Sequence, residues 1–287
     1  MRLVSYNIQY GIGLNECYDL RRIADSVADA DIIALQEVTR GFSRNDHADM
    51  VAGLQELLLH PFSSYASPCD VFVGMIDVDG RQVERRLQFG NMILSRWPIL
   101  AVRHLLLPRN RTFRKLDLQR GAVEAVIDAP SGPLRVYSVH LDHVSPDERI
   151  EQIRFLKVRA LNFVAEGGAL TGTEEFGLPE LPLPEDFVMM GDFNMIPESP
   201  EYVEMVGRAD TYNRRALRAN HAVDAAARLG SVTPESYTWV KSPGDGTERM
   251  YLDHCFVNPQ LVPRLKSVRV DNEALGSDHF PVWLELA

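Results

Sequence analysis

From residue 71 to residue 141 the chain strings together strand-like stretches with no helical period between them, and such a run can bury its apolar residues only as neighbouring strands of a sheet. Val71 to Val78 and Arg81 to Phe89 flank Asp79-Gly80, a two-residue turn of the kind that closes a hairpin. Asn91 to Ser95, Ile99 to Leu107, Gly121 to Asp128 and Leu134 to Leu141 follow, the last two joined by Ala129-Pro130-Ser131-Gly132-Pro133. The pattern predicts an antiparallel meander.

Helical periods lie on both sides of it. Leu3, Val4, Tyr6 and Ile8 open the chain as a strand that ends in the turn-like Gly11-Ile12-Gly13. Leu20, Ile23, Ala24, Val27 and Ala30 recur at three and four, and the short apolar strand Asp31 to Leu35 follows. Met50, Val51, Leu54, Leu57 and Leu58 predict a second helix, ended by Pro61. Beyond the meander, Ile150, Ile153, Leu156, Val158 and Leu161 place a helix from Pro146 to about residue 165. Residues 167–186, poor in apolar side chains, read as a mobile surface loop. Phe187 to Gly191 resumes the core pattern, and Glu198 to Val206 can form a helix. The remaining strands are expected at Tyr237 to Lys241, Tyr251 to Val257, Leu265 to Val270 and Val282 to Leu286. No repeat or linker divides the 287 residues, so a single α/β (α+β) domain with two mostly antiparallel sheets is expected over residues 1–287.

Composition narrows the function classes. With 45% apolar and 24% charged residues, disorder and coiled coil are disfavoured. Cys17, Cys69 and Cys255 are odd in number, far apart and form no CxxC, which argues against a disulfide framework or a thiolate zinc site. Apolar runs such as Leu57 to Leu59 are far shorter than the roughly 20 residues that cross a bilayer. The N-terminal strand lacks the basic and apolar regions of a signal peptide. A cytoplasmic protein with no integral membrane association and no obligate protein partner is expected. Neither an apolar hairpin suited to a membrane nor a long basic helix suited to DNA is apparent.

Several predicted strands finish in carboxylates, amides or histidines instead of turn formers. Asn7 follows the first, Gln36-Glu37 the second, His140 a middle one, Asp192-Phe193-Asn194 another, and Ser277-Asp278-His279 precedes the last. Singly, each has an ordinary explanation: a turn amide, a solvated Glu, a helix-capping Asp, a core histidine. If the strand ends share one rim, hard oxygen ligands and two imidazoles converge. Oxygen donors of this kind suit Mg²⁺ or Mn²⁺ better than Zn²⁺. His143, three after His140, would face the opposite side of a strand and reads as surface or supporting. Trp97, Trp239 and Phe193 read as packing residues.

The motifs Ser5-Tyr6-Asn7-Ile8, Leu35-Gln36-Glu37-Val38, Gly90-Asn91-Met92-Ile93-Leu94-Ser95-Arg96, Arg120-Gly121, His140-Leu141, Gly191-Asp192-Phe193-Asn194, Tyr251-Leu252-Asp253 and Ser277-Asp278-His279-Phe280-Pro281-Val282 span nearly the whole chain. In this order they resemble the endonuclease/exonuclease/phosphatase superfamily of Mg²⁺-dependent phosphoesterases. The resemblance implies a four-layered α/β/β/α sandwich with the active site at one end. It implies Glu37 as metal ligand, supported by Asn7, with Asp278 as an accessory carboxylate. Asp192 would orient or deprotonate water with help from Asn194. His279, held by Asp253, and His140 would contact the phosphate, with Arg120 nearby. His254 departs from the Tyr that many relatives carry after the motif aspartate, which touches only a packing detail. The competing expectation is a catalytically silent scaffold of the same fold; Glu37, Asp192 and His279 are all present, which favours the hydrolase.

The net charge is −10, so diffuse attraction to a polyanion is not expected. Residues 81–120 are nevertheless +8 and the remainder −18. The stretch from Pro108 to Gln119 lacks strand pattern and adjoins Arg120, so Arg109, Arg111, Arg114 and Lys115 are candidate substrate contacts, against a plain solvated face. A small phosphodiester or a short nucleic-acid end is the expected substrate.

Overall fold

A computed structural model describes residues 1–241 and 248–287. The chain runs β1 (Arg2–Asn7), α1 (Leu20–Val27), β2 (Ile32–Arg40), α2 (Met50–Leu57), β3 (Phe62–Val78), β4 (Arg81–Ser95), β5 (Ile99–Leu106), β6 (Gly121–Ile127), β7 (Leu134–His140), α3 (Pro146–Leu161) and α4 (Phe163–Glu166). It continues through β8 (Phe187–Asp192), α5 (Pro200–Val206), β9 (Val223–Asp224), α6 (Ala225–Leu229), β10 (Trp239–Val240), β11 (Arg249–Met250), β12 (Asp253–Val257), β13 (Leu265–Val270) and β14 (Val282–Leu286).

Two six-stranded sheets result. Sheet I has the order β13-β14-β1-β2-β4-β3 and sheet II the order β5-β6-β7-β8-β12-β9, with β10 and β11 as a separate ribbon. Each sheet is antiparallel except for one central parallel pair, β1 with β2 and β7 with β8. Parallel neighbours need a crossover, and helices α1 and α3 provide it. Asp19 caps α1 by accepting from Arg22 N, and Ser145 caps α3, with Pro146 in its first turn.

The period-2 alternation of the strands separates three apolar layers. Leu3, Ile32, Ala34, Ile93, Val136, Val188, Met190 and Cys255 pack between the sheets. Their neighbours Val4, Tyr6, Ile33 and Leu35 pack outward against Ile23 and Val27 of α1 and Leu54 of α2. On the far side, Tyr137, Phe187 and Met189 meet Ile153 and Leu156 of α3 and Tyr202 of α5. This is the expected four-layered sandwich, helices outside and sheets face to face.

The inward face of each central strand is apolar at one end and turns polar towards the other. Gln36 Nε2 donates to Ser138 Oγ at 2.9 Å, and Ser138 Oγ donates to Leu35 O at 2.9 Å, so β2 and β7 are tied across the interface. Asn91 Nδ2 adds donors to the carbonyls of Gly121 and Ser138 at 2.7 and 3.2 Å. One or two positions further along β2 and β7 lie Glu37 and His140.

Several expectations are revised by the fold. The hairpin through Asp79-Gly80 is longer than its pattern, because Phe62 to Asp70 carries Ser, Pro and Cys that hide the strand. Asn91 to Ser95 belongs to β4 and not to a separate strand. Residues 71–87 pair only with each other as a two-stranded arm, exposing Val71, Phe72, Val73, Met75, Ile76 and Val83. The arm is therefore an exposed hairpin with one largely apolar strand, paired with a second strand that carries Arg81, Glu84, Arg85 and Arg86. The long helix breaks at Asn162 into α3 and α4. Residues 167–186 are irregular apart from a turn of 3-10 helix at Thr173–Phe176. Among the described residues no helix is long and apolar enough to cross a membrane, and the three cysteines are unpaired.

Candidate active site

Three adjacent strands of sheet II carry the first group of site residues. Asp192 ends β8, and its ladder partners are His140 on β7 and Asp253 on β12. Because Asp192 shares the parity of Val188 and Met190, its carboxylate faces the inter-sheet space. The preceding Gly191 is dictated by close approach: a Cβ there would stand 1.9 Å from the Val139 carbonyl oxygen.

Sheet I supplies the opposing group. Asn7 ends β1, on the same inward parity as Leu3 and Ser5. Glu37 reaches the site through a bulge in β2, where the pairing with β4 slips between Leu35 and Val38 and Glu37 takes a left-handed φ of 59°. Asp278 and His279 lie in the loop before β14, pinned by Ser277 Oγ, which accepts from His279 N at 3.1 Å.

The side chains of the two sheets meet. Asn7 Nδ2 donates to Asp192 Oδ2 at 2.9 Å and to Glu37 Oε1 at 3.3 Å, and lies 3.4 Å from His279 Nε2. Asp192 Oδ2 is 3.3 Å from His140 Nε2 and 3.6 Å from His279 Nε2. His279 Nδ1 is paired with Asp253 Oδ2 at 2.8 Å. Thr238 Oγ1 steadies that aspartate by accepting from the amides of Leu252 and Asp253. Arg120 Nη1 lies 2.9 Å from His140 Nε2, and Arg120 Nη2 lies 2.9 Å from His143 Nδ1. Asn194 closes the turn after β8: its amide N donates to Asp192 Oδ1 at 2.9 Å and its Nδ2 to Leu141 O at 3.1 Å.

The two histidines are driven to opposite charge states. Burial alone lowers both, and for His140 the Arg120 charge adds to that, so its pKa falls well below the usual range. For His279 the burial effect is outweighed by the charges of Asp253 and Asp192, and its pKa rises well above that range. A neutral imidazole and an imidazolium therefore stand on either side of Asp192, an arrangement that separates hydrogen-bond and acid roles.

Glu37 is pushed up to about 7, first by burial and then by the Asp278 charge. Carboxylates crowded in this way resist joint ionisation unless a cation shares the space, and the oxygens of Glu37 and Asp278 suit a hard divalent ion, while Asn7 turns its Nδ2 to Glu37 and its Oδ1 to the Gln9 amide. Trp239, read from sequence as packing, donates Nε1 to Asp278 Oδ2 at 3.1 Å and fixes that carboxylate. An isolated bridge between Trp239 and His279 sets the indole beside Asp278.

The basic stretch is not part of this cluster. Arg109 donates to Asp117 Oδ2 at 3.1 Å, and Arg111 lies over the Phe113 ring. Lys115 is near enough to His143 for its charge to bear on that imidazole. His254 points to the other side of sheet II, 3.3 Å from Asp224 and 3.0 Å from Met195 O.

The profile of the endonuclease/exonuclease/phosphatase family matches residues 4–279, and the chain belongs to that family, which is hydrolytic on phosphoester bonds and typically needs a divalent metal. Solved structures with the same fold include an endonuclease/exonuclease/phosphatase from Beutenbergia cavernae, 19% identical, with a TM-score of 0.65 over 100% of this chain and 72% of that one. A mannosyl-6-phosphatase from Bacteroides thetaiotaomicron is 18% identical, with a TM-score of 0.59 over 100% and 99% of the two chains. The 3' phosphatase NExo from Neisseria, bound to product DNA hairpin, is 21% identical, with a TM-score of 0.54 over 100% and 99%. No curated protein matches the sequence.

Proposed function

We propose that this chain is a metal-dependent phosphoester hydrolase in which water attacks the phosphorus in line. The observation that carries this reading is the Asp192 carboxylate, buried between Asn7, His140 and His279 where both sheets end. Asp192 accepts the proton of the attacking water, and Asn194 holds the Asp192 carboxylate through its amide N. His279, kept protonated by Asp253, donates from Nε2 to a phosphate or leaving oxygen as charge builds there. Arg120, which donates to the neutral His140 ring, offers its remaining N–H groups and its charge to a nonbridging oxygen beside His140. Glu37 and Asp278 would hold Mg²⁺, with Mn²⁺ as a substitute, and Asn7 would support the ion by holding Glu37 through its Nδ2. When bound, the ion supplies Lewis acidity and stabilisation of the leaving alkoxide.

We place the substrate among compact phosphoesters or short nucleic-acid ends, acted on by a single unit spanning residues 1–287 in the cytoplasm. The acidic remainder of the chain, −18 outside residues 81–120, disfavours long duplex DNA. Two of the similar structures are named as phosphatases, which supports testing monoesters beside diesters. The test is hydrolysis of p-nitrophenyl phosphate and bis(p-nitrophenyl) phosphate with Mg²⁺ or Mn²⁺, with and without chelator, next to DNA, RNA and sugar phosphates. Turnover that chelation abolishes is expected. Inactivity across the panel with both metals would leave a binding scaffold as the reading.

A further inference from the structure

Beyond the cluster around Asp192, Asp117, Asp142 and His143 bring one ligand-type atom each to within 4.8 Å of one another. They come from separate places. Asp117 belongs to the basic stretch before β6, whereas Asp142 and His143 lie in the turn between β7 and α3. Asp142 is 1% exposed, and so is the Asp117 side chain. Each has one oxygen in use: Asp117 Oδ2 accepts from Arg109 Nε, and Asp142 Oδ2 accepts from the amides of Val144 and Ser145. The other oxygen of each, Oδ1, is buried with no donor among the described residues except a proton that the two carboxyls can share. Glu148 in the first turn of α3 repeats the pattern, with Oε2 accepting from Asn110 N at 2.7 Å and Oε1 without a donor.

Buried carboxylate oxygens that find no donor are costly, and a bound cation relieves them directly. Arg109 and Arg120 flank the cluster, yet neither reaches these orphaned oxygens. His143 adds an exposed imidazole at the same place.

We propose that Asp117, Asp142 and His143 bind a divalent first-row transition ion that clamps the basic loop to the start of α3. Two carboxylate oxygens and one imidazole nitrogen form a donor set that Mn²⁺ or Zn²⁺ accepts, whereas Ca²⁺ favours oxygen alone. A neutral imidazole has a single lone pair, which His143 now directs through Nδ1 at Arg120 Nη2. An ion on either ring nitrogen takes that lone pair and releases this arm of Arg120 towards the substrate anion. The second site thereby sets both the position of Arg109, Arg111, Arg114 and Lys115 and the freedom of Arg120.

The test uses the full chain carrying Glu37→Gln, stripped of metal and titrated with Mn²⁺, with bound ion read by electron paramagnetic resonance. One Mn²⁺ per chain is expected to remain in this background. Adding His143→Gln or Asp117→Asn should raise its dissociation constant by at least about tenfold. Circular dichroism confirms folding of each variant, and His143→Gln leaves the capping contacts of Asp142 in place. Trypsin cleavage after Arg111, Arg114 and Lys115 should slow on adding Mn²⁺, and that protection should vanish in the same variants. Mn²⁺ binding that neither variant changes would put the ion elsewhere. No binding, with cleavage indifferent to Mn²⁺, would mean that Asp117 and Asp142 merely share a proton. Neither readout uses turnover, so a failure of the catalytic reading would leave both intact.

Discussion

Sheet II presents His140, Asp192 and Asp253 on three neighbouring strands whose register is unbroken, whereas sheet I reaches the same point through irregular backbone. Glu37 needs a bulge and a left-handed residue, and Asp278 and His279 need a loop. A regular ladder holds neighbouring side chains at fixed spacing, which suits groups that must pass a proton over a short distance. Bulges and loops let oxygen atoms from several directions turn inward, which suits the enclosure of an ion. The two sheets share the pattern of one central parallel pair and a helical crossover, so the contrast lies in how the ends of similar frames are finished.

The largest effect should come from breaking the sheet II side. Asp192→Ala is expected to lower kcat by about 10²- to 10⁴-fold, as is His279→Ala where the sheet I loop meets it. Steady-state kinetics at saturating Mg²⁺ measures this, and a loss below about fivefold would remove Asp192 from the proton transfer.

Glu37→Gln tests the sheet I side and should shift the Mg²⁺ activation curve to higher concentration by about 10- to 100-fold. It also carries a stability signature. The folded pKa of about 7 lies above the ordinary carboxylate value, so the stability from this group is full at low pH and lost as pH rises through about 7. The melting temperature of metal-free wild type minus that of Glu37→Gln should therefore fall between about pH 5 and about pH 8. Added Mg²⁺ should flatten that fall. A difference that is constant with pH would contradict the raised Glu37.

Asp253→Asn sharpens the contact between the sheets. Removing this charge takes away the strongest influence that raises His279, so the alkaline limb of kcat should move to lower pH, with a loss of about tenfold at pH 8. An unmoved limb would assign that limb to another group.

Smaller effects are expected away from the seam's end. Replacing Arg109, Arg111, Arg114 and Lys115 together by Ala should raise KM for anionic substrates by a factor of about 3 to 10 and flatten its salt dependence, leaving kcat on a minimal ester near wild type. Ser138→Ala removes the hydrogen bonds that join β2 to β7 and should cost about 1 kcal/mol in denaturant melts, with little change in turnover.

Much of this architecture is legible in the residues alone. The alternation that sends Leu3 inward and Val4 outward, the Asp79-Gly80 turn and the periods of α1 and α3 are local properties, set by backbone geometry and apolar burial. The polar strand ends stood out for a similar reason: Asn7, His140 and Asp192 sit where a buried strand would ordinarily meet a turn. Phe62 to Asp70 shows no such pattern, and its Ser and Pro residues pair with β4 because the neighbouring strand, not their own propensity, holds them extended. Trp239 likewise looks like a packing residue in sequence, since its indole finds Asp278 only through the fold, 39 residues away.

Local sequence thus specifies the kind of each element and the chemistry available at its end. Which strands became neighbours, that Glu37 leaves its ladder, and that His140 is neutral while His279 is charged were decided by tertiary structure. Those outcomes depend on burial and on charges brought close from distant parts of the chain, and no local pattern encodes a distance between residues such as Asn7 and Asp192 that are 185 positions apart.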